Sequence, residues 1–234
     1  MAHRRLRRIL AVAVLLAAAL AASRAGADTP TDCSAGMHAL QLGGGSTSLV
    51  HVTPALAGTA RTLLLVLHDT GGTPGEALAT FRAGSSPPGL VLVAPRSRGR
   101  AWSFERGRGN DLATVSRALT RTVSHCAVDS RRIGIGGFGA GATAALSLGI
   151  TNGRLFRSIV AFAPGPIGMQ RRVGRPRVFI AHGEADSVSS FARTKDALVP
   201  ALRRSGYAVT FRAFPGGHVV PAAVARAAVR WFLS

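Results

Sequence analysis

The stretch Arg132–Ile150, RIGIGGFGAGATAALSLGI, decides how the rest of the chain is read. Ile133 and Ile135 belong to a short apolar strand, Gly137-Phe138-Gly139-Ala140-Gly141 makes a glycine-packed turn, and an alanine- and leucine-rich helix follows. Strand, sharp turn and helix on the pattern G-x-S-x-G form a nucleophile elbow, which lifts a serine hydroxyl above a parallel sheet. Four of the five positions fit here, and the serine position holds Gly139.

Working outward, apolar runs alternate with segments of helical period. Arg61–Leu67 (RTLLLVL) and Leu90–Ala94 (LVLVA) read as strands covered on both faces, with a helix between them over Gly75–Phe81. Asn110 is placed to cap a helix whose Leu112, Val115, Leu119 and Val123 recur at helical spacing. Ser158–Phe162 and Arg177–Ala181 are further strands, a helix is expected over Ser190–Ser205, and Val209–Phe214 is the last strand. Pro221 opens a closing helix with Val224, Ala228 and Trp231 inward. His38–Leu42 and Thr47–Thr53, separated by Gly43-Gly44-Gly45, suggest an N-terminal hairpin. The alternation predicts an α/β fold, a mostly parallel sheet flanked by helices on both faces. Chemistry in such folds gathers at the carboxyl ends of the strands. His68, the elbow, Asp186 and His218 all fall there.

With these motifs the chain resembles the α/β-hydrolase superfamily, and looks most similar to secreted esterases of the polyhydroxybutyrate depolymerase and feruloyl esterase type and to dienelactone hydrolases. The resemblance runs from about Cys33 to the C-terminus. It rests on the His68 loop, Trp102, the elbow after Val128-Asp129, the HGEAD block (His182–Asp186) and the PGGH block (Pro215–His218). It implies a triad in the order nucleophile, acid, histidine at Gly139, Asp186 and His218. It also implies oxyanion-hole N–H groups from Ala140 and from the Asp69–Thr70 region. In such a triad the histidine carries the nucleophile's proton and the carboxylate fixes its tautomer, while the hole stabilises developing negative charge.

Two residues depart from that pattern. Gly139 has no oxygen with which to attack an acyl carbon, and losing a triad nucleophile costs on the order of a millionfold in turnover. Asp69 stands where the resemblance calls for glycine, and a carboxylate beside an oxyanion hole opposes the charge the hole must hold. The leading expectation is therefore an esterase scaffold whose acyl chemistry is lost or severely reduced, in which Gly139→Ser should restore at least a hundredfold. The alternatives are an active carboxylic ester hydrolase, using a displaced Ser97, Ser103 or Ser187 or a water activated by His218, and a binding module for an anionic polymer. The last reading rests on Arg96, Arg98, Arg100, Arg106 and Arg108 around Trp102 and Phe104, and on Arg171, Arg172, Arg175 and Arg177, expected to form a collar at one end of the sheet. Trp102, Arg98 and Arg100 are its candidate binding residues, and a small or polymeric ester-like ligand is the candidate partner of the pocket.

The remaining composition bounds the setting. His3–Arg8 (HRRLRR), the apolar run Ile9–Ala22 and Ala25-Gly26-Ala27 make residues 1–27 a signal peptide, and fourteen apolar residues fall short of the roughly 20 that span a bilayer. Cleavage would leave 28–234 as one α/β-hydrolase domain with no transmembrane anchor, in a secreted or periplasmic compartment. The five arginines of that segment lower the formal charge from +19 to +14 when they leave. An oxidising compartment favours a Cys33–Cys126 disulfide, with two buried thiols as the alternative. No spacing suggests a zinc site or another metal, no glycine loop suggests a phosphate cofactor, and no nucleic-acid motif is present; cofactors are expected to be none.

Overall fold

The computed structural model describes residues 33–42, 47–82, 87–104, 111–168 and 171–234. The expected signal peptide, the Gly43–Gly45 turn, the Asn110 cap, Arg106 and Arg108 lie outside them.

Eight strands form one sheet in the order β1-β2-β4-β3-β5-β6-β7-β8. They are β1 (Gly36–Gln41), β2 (Thr47–Val52), β3 (Arg61–Leu67), β4 (Leu90–Ala94), β5 (Val128–Phe138), β6 (Ser158–Phe162), β7 (Arg177–Gly183) and β8 (Val209–Phe214). β1 and β2 pair antiparallel, β2 pairs antiparallel with β4, and every other pairing is parallel. Helices α1 (Pro74–Arg82), α2 (Asp111–His125), α3 (Ala140–Thr151) and α6 (Ala222–Leu233) flank the sheet. The expected helix over 190–205 is α4 (Phe191–Arg193), a π-helical turn over Thr194–Leu198, and α5 (Val199–Arg204).

Successive side chains of a strand point to opposite faces, and this divides the core in two. Leu63, Leu65 and Leu67 pack with Ile133, Ile135 and Ile159 beneath α2, α3 and α5. Leu64 and Val66 pack with Leu92, Val160 and Phe179 beneath α1 and α6. The glycines of β5 serve the second face: a Cβ on Gly134 would sit 2.5 Å from Phe232, and one on Gly136 2.8 Å from Phe81. Two phenyl rings thus lie against bare backbone. The buried face of α6 runs through Val224, Ala228 and Phe232; Trp231, expected inward, is half-buried against Phe179 with the Arg177 guanidinium over its ring.

Cys33 and Cys126 are bonded, tying the lead-in of β1 to the end of α2. Closing a 93-residue separation contributes ~4–5 kcal/mol in the chain-entropy account.

Candidate functional site

Four parallel-strand ends converge at one edge of the sheet. β3 delivers His68-Asp69-Thr70, β5 delivers the elbow, β7 delivers His182–Asp186 and β8 delivers His218.

The β7–β8 half is fully bonded. Asp186, its side chain wholly buried, accepts on Oδ1 from the backbone N–H groups of Val188 and Ser189, both at 2.8 Å. Its Oδ2 accepts from His218 Nδ1 at 2.7 Å and lies 3.1 Å from His182 Nε2. Burial by itself would raise this carboxyl, but the Ser189 N–H, His218 and the Val188 N–H outweigh it and hold Asp186 below the usual carboxylate value. His182 is buried between Thr194 Oγ1 at 3.0 Å and the Ser189 carbonyl at 3.1 Å. Burial pushes its basicity down, against the opposing pull of the Ser189 carbonyl and of Asp186. Accepting from Thr194 on Nδ1 leaves Nε2–H to donate toward Ser189 and Asp186. His182 is therefore a second histidine on the acid, at i,i+4 spacing from Asp186. The His218 ring stacks on Phe138, 4.6 Å between centroids, which fixes its plane beside the elbow.

The β3–β5 half holds a rearrangement. Gly139 has φ +54° and ψ −118°, a conformation that strains any residue with a Cβ. Gly137 and Gly141 are needed for another reason, since a Cβ on either would meet backbone atoms at 2.3 or 2.2 Å. At Gly139 a Cβ would lie 2.2 Å from Asp69 Oδ1 and 2.4 Å from its Cγ. The Asp69 carboxylate occupies the space that a side chain at 139 would need. Its Oδ1 accepts from the N–H of Ala140 at 2.8 Å and of Thr70 at 2.7 Å, and its Oδ2 faces His218 Nε2 at 3.1 Å.

Ala140 and Thr70 thus present N–H groups to one point, as the resemblance implies. Asp69 differs from its expected place among the donors: it contributes a carboxylate that accepts both, because its turn aims the side chain inward. In that turn Gly72 N–H donates to the Asp69 carbonyl and Gly71 has φ +72°, a type II geometry. A serine at 139 would require the Asp69 carboxylate to move aside.

Trp102 acts on the same loop, donating Nε1–H to the His68 carbonyl at 2.8 Å with its ring 4.8 Å from that of His68. Buried Asp111, which the sequence reading passed over, accepts from the N–H groups of Arg98 and Ser103, both at 2.8 Å. Arg98 and Arg100 are engaged through their backbones, Arg100 accepting from Gly71 N–H. The basic collar is not formed as expected. Arg177 opens β7 and lies at the opposite end of the sheet, where it lines a separate cavity with Arg131, Arg132 and Arg157. Ser97 donates its hydroxyl to the Gly99 carbonyl, and among the described residues no serine hydroxyl bonds to His218. Nor does any group of three His, Cys, Asp or Glu among them sit as a metal cage would. A cavity of about 740 Å³ opens beside the loop that follows Asp186, lined by Pro164, Ile167, Val188 and Leu202 with the arginines Arg172 and Arg193; Asp69 and His218 are not among its lining residues.

Solved structures share this architecture. Esterase PE8 superposes with a TM-score of 0.63 at 24% identity, over 77% of this chain and 95% of its own. The fold is that of the α/β-hydrolase superfamily. The carboxylesterase of Bacillus cereus gives 0.60 at 19% identity over 81% and 94%, and that of Mesorhizobium loti 0.61 at 21% over 81% and 95%. No protein-family model and no curated protein sequence matches the chain. Within an α/β-hydrolase fold the strand ends described above are where a nucleophile, an acid and a histidine would meet.

Proposed function

We propose that this chain is an exported α/β-hydrolase-fold protein of serine-esterase descent in which serine acyl transfer has been abolished. One observation carries the reading: the Asp69 carboxylate fills both the oxyanion hole and the volume of the absent serine side chain. An ester carbonyl entering here would meet no hydroxyl at residue 139 and would find its two N–H donors already engaged by a full negative charge. Export rests on the character of residues 1–27, and a small ester-like ligand on the cavity beside the loop that follows Asp186.

Hydrolysis of p-nitrophenyl acetate and butyrate tests the reading. The wild type and Gly139→Ser should both lack His218-dependent turnover. The double variant Asp69→Gly/Gly139→Ser, with room for the hydroxyl and the hole reopened, should exceed either by at least a hundredfold. Wild-type turnover abolished by His218→Ala, together with a serine labelled by a fluorophosphonate, would overturn the proposal in favour of a displaced nucleophile.

A further inference from the structure

The geometry points to Asp69 as a nucleophile in its own right, a carboxylate that displaces a leaving group from a saturated carbon, making this site a hydrolase for uncharged alkyl electrophiles. The inference rests on the reading that serine chemistry is gone, and supplies what replaces it.

The choice of reaction follows from which oxygen sits where. Oδ1 lies in the oxyanion hole, so a substrate carbonyl is excluded from it, and attack on an ester would yield an anhydride with its oxyanion unsupported. Displacement at saturated carbon creates no oxyanion in its first step. Oδ2 lies at the catalytic histidine's edge, on a side chain 28% exposed that a small substrate can reach. Carboxylates are established covalent nucleophiles when a base is at hand for the second step. His218, held by Asp186 at 2.7 Å, is that base. A plug alone would have no use for a His218–Asp186 pair with its bonds intact. Two carboxylates disfavour anionic substrates at Asp69 Oδ2.

In the first step an Oδ2 lone pair forms a bond to the alkyl carbon as the carbon–halogen bond breaks, and halide leaves with the electron pair. Esterification removes the negative charge facing His218, whose Nε2 proton passes to solvent. His218 Nε2 then takes a proton from water, and the hydroxide oxygen bonds to Asp69 Cγ. The displaced π pair resides on Oδ1, already 2.7 and 2.8 Å from the N–H groups of Thr70 and Ala140. Collapse breaks the Cγ–Oδ2 bond, the alkoxide takes the proton from His218, and the carboxylic acid returns its own proton to Nε2. The net change is alkyl halide plus water to alcohol, halide and a proton. The alcohol carries an aspartate oxygen, and the aspartate keeps the oxygen of water.

Iodoethane, too small for cavity shape to decide the outcome, is the probe, and Asp196, 65% exposed, is the internal reference. In full-length His218→Gln, peptide mass spectrometry should find the ethyl ester on Asp69 forming at least a hundredfold faster than on Asp196, and persisting. In the wild type in ¹⁸O-water, label should enter the Asp69 carboxylate while first-turnover ethanol stays unlabelled; Asp69→Asn should abolish both signals. If Asp69 is esterified no faster than Asp196 in either protein, and takes up no label, it is a resident plug and the inference falls. That result would leave the loss of serine chemistry standing, whereas His218-dependent ester turnover by the wild type would remove the premise instead.

Discussion

At the ends of β7 and β8 each polar atom of the site has the partner its role requires: two N–H groups and two imidazoles on Asp186, a carboxylate and a phenyl ring on His218. At the ends of β3 and β5 two N–H donors are aimed at one point, but the residue types differ from those the resemblance implies. Residue 139 is glycine where the resemblance calls for a serine, and residue 69 is aspartate where it calls for glycine. Each departure is costly alone: a bare Gly139 leaves an empty hole, and Asp69 beside a serine collides with it. Together they fit to within hydrogen-bond distance. A glycine and an aspartate that fit sterically beside a bonded His218–Asp186 couple are what the proposed nucleophile at Asp69 requires.

The difference between the halves should appear first in stability. Asp186→Ala removes a wholly buried carboxylate from four partners and leaves the part-buried Ser189 N–H and two imidazoles without it, at a cost of about 3 kcal/mol. Asp69→Ala frees the Thr70 and Ala140 N–H groups at a mouth that water can enter, so its cost should stay within about 1 kcal/mol. Urea midpoints at unchanged m-value measure both. Equal losses would mean that Asp69 is a structural keystone, and the contrast between the halves would fail.

A smaller effect separates the same groups by pH. His182 and His51 are both pushed below the ordinary histidine value of 6.5, burial leading in each, with Arg82 adding to the effect at His51. A base that binds its proton less readily when folded contributes its full stability above the unfolded value. That contribution is lost as pH falls from 6.5 toward the folded value. Asp186, held below 3.8, behaves as a carboxylate: its contribution is present above the unfolded value and is lost as pH falls through the folded one. The urea midpoint should therefore decline in two windows, the first below neutrality and the second in acid. His182→Asn should shrink the first window without removing it, since His51 titrates there too. A midpoint flat from pH 7.5 to 5 would contradict the burial argument.

Much of this arrangement was readable from residue order. Period and length placed the strands, because β3, β4 and β6 are covered on both faces and read as unbroken apolar runs. The HGEAD and PGGH blocks located Asp186 and His218 because each follows a strand. The direction of the Asp69 side chain was not readable: it depends on a type II turn at Gly71 and on the volume left by a glycine 70 residues away in the chain. The same holds for Gly134 and Gly136, whose bare backbone receives rings from α1 and α6. The expected collar breaks at Arg177, because β7 is parallel to β6 and opens at the edge of the sheet opposite the one where β6 ends. Asp111 was hidden as an ordinary first-turn acid, although it anchors the loop that carries Trp102.

Trp102 gives the finest test of whether the two halves act separately. Its Nε1–H bond to the His68 carbonyl restrains the residue before Asp69, while its ring lies between those of His68 and Phe104. Trp102→Phe keeps an aromatic surface there and removes the one bond, at a cost of about 1 kcal/mol. The β3 turn should then hold the Asp69 carboxylate less firmly over the Ala140 N–H, and its preference over Asp196 for iodoethane should fall several-fold. The indole's hydrogen bond and ring contacts are with His68 and Phe104, and Asp186 keeps its own partners, so the acid window of the urea midpoint should stay where it was. A shift of both readouts would show that the site relaxes as one body. A fall in Asp69 selectivity alone would show that the β3 loop positions the carboxylate and that the β7–β8 couple stands independently of it.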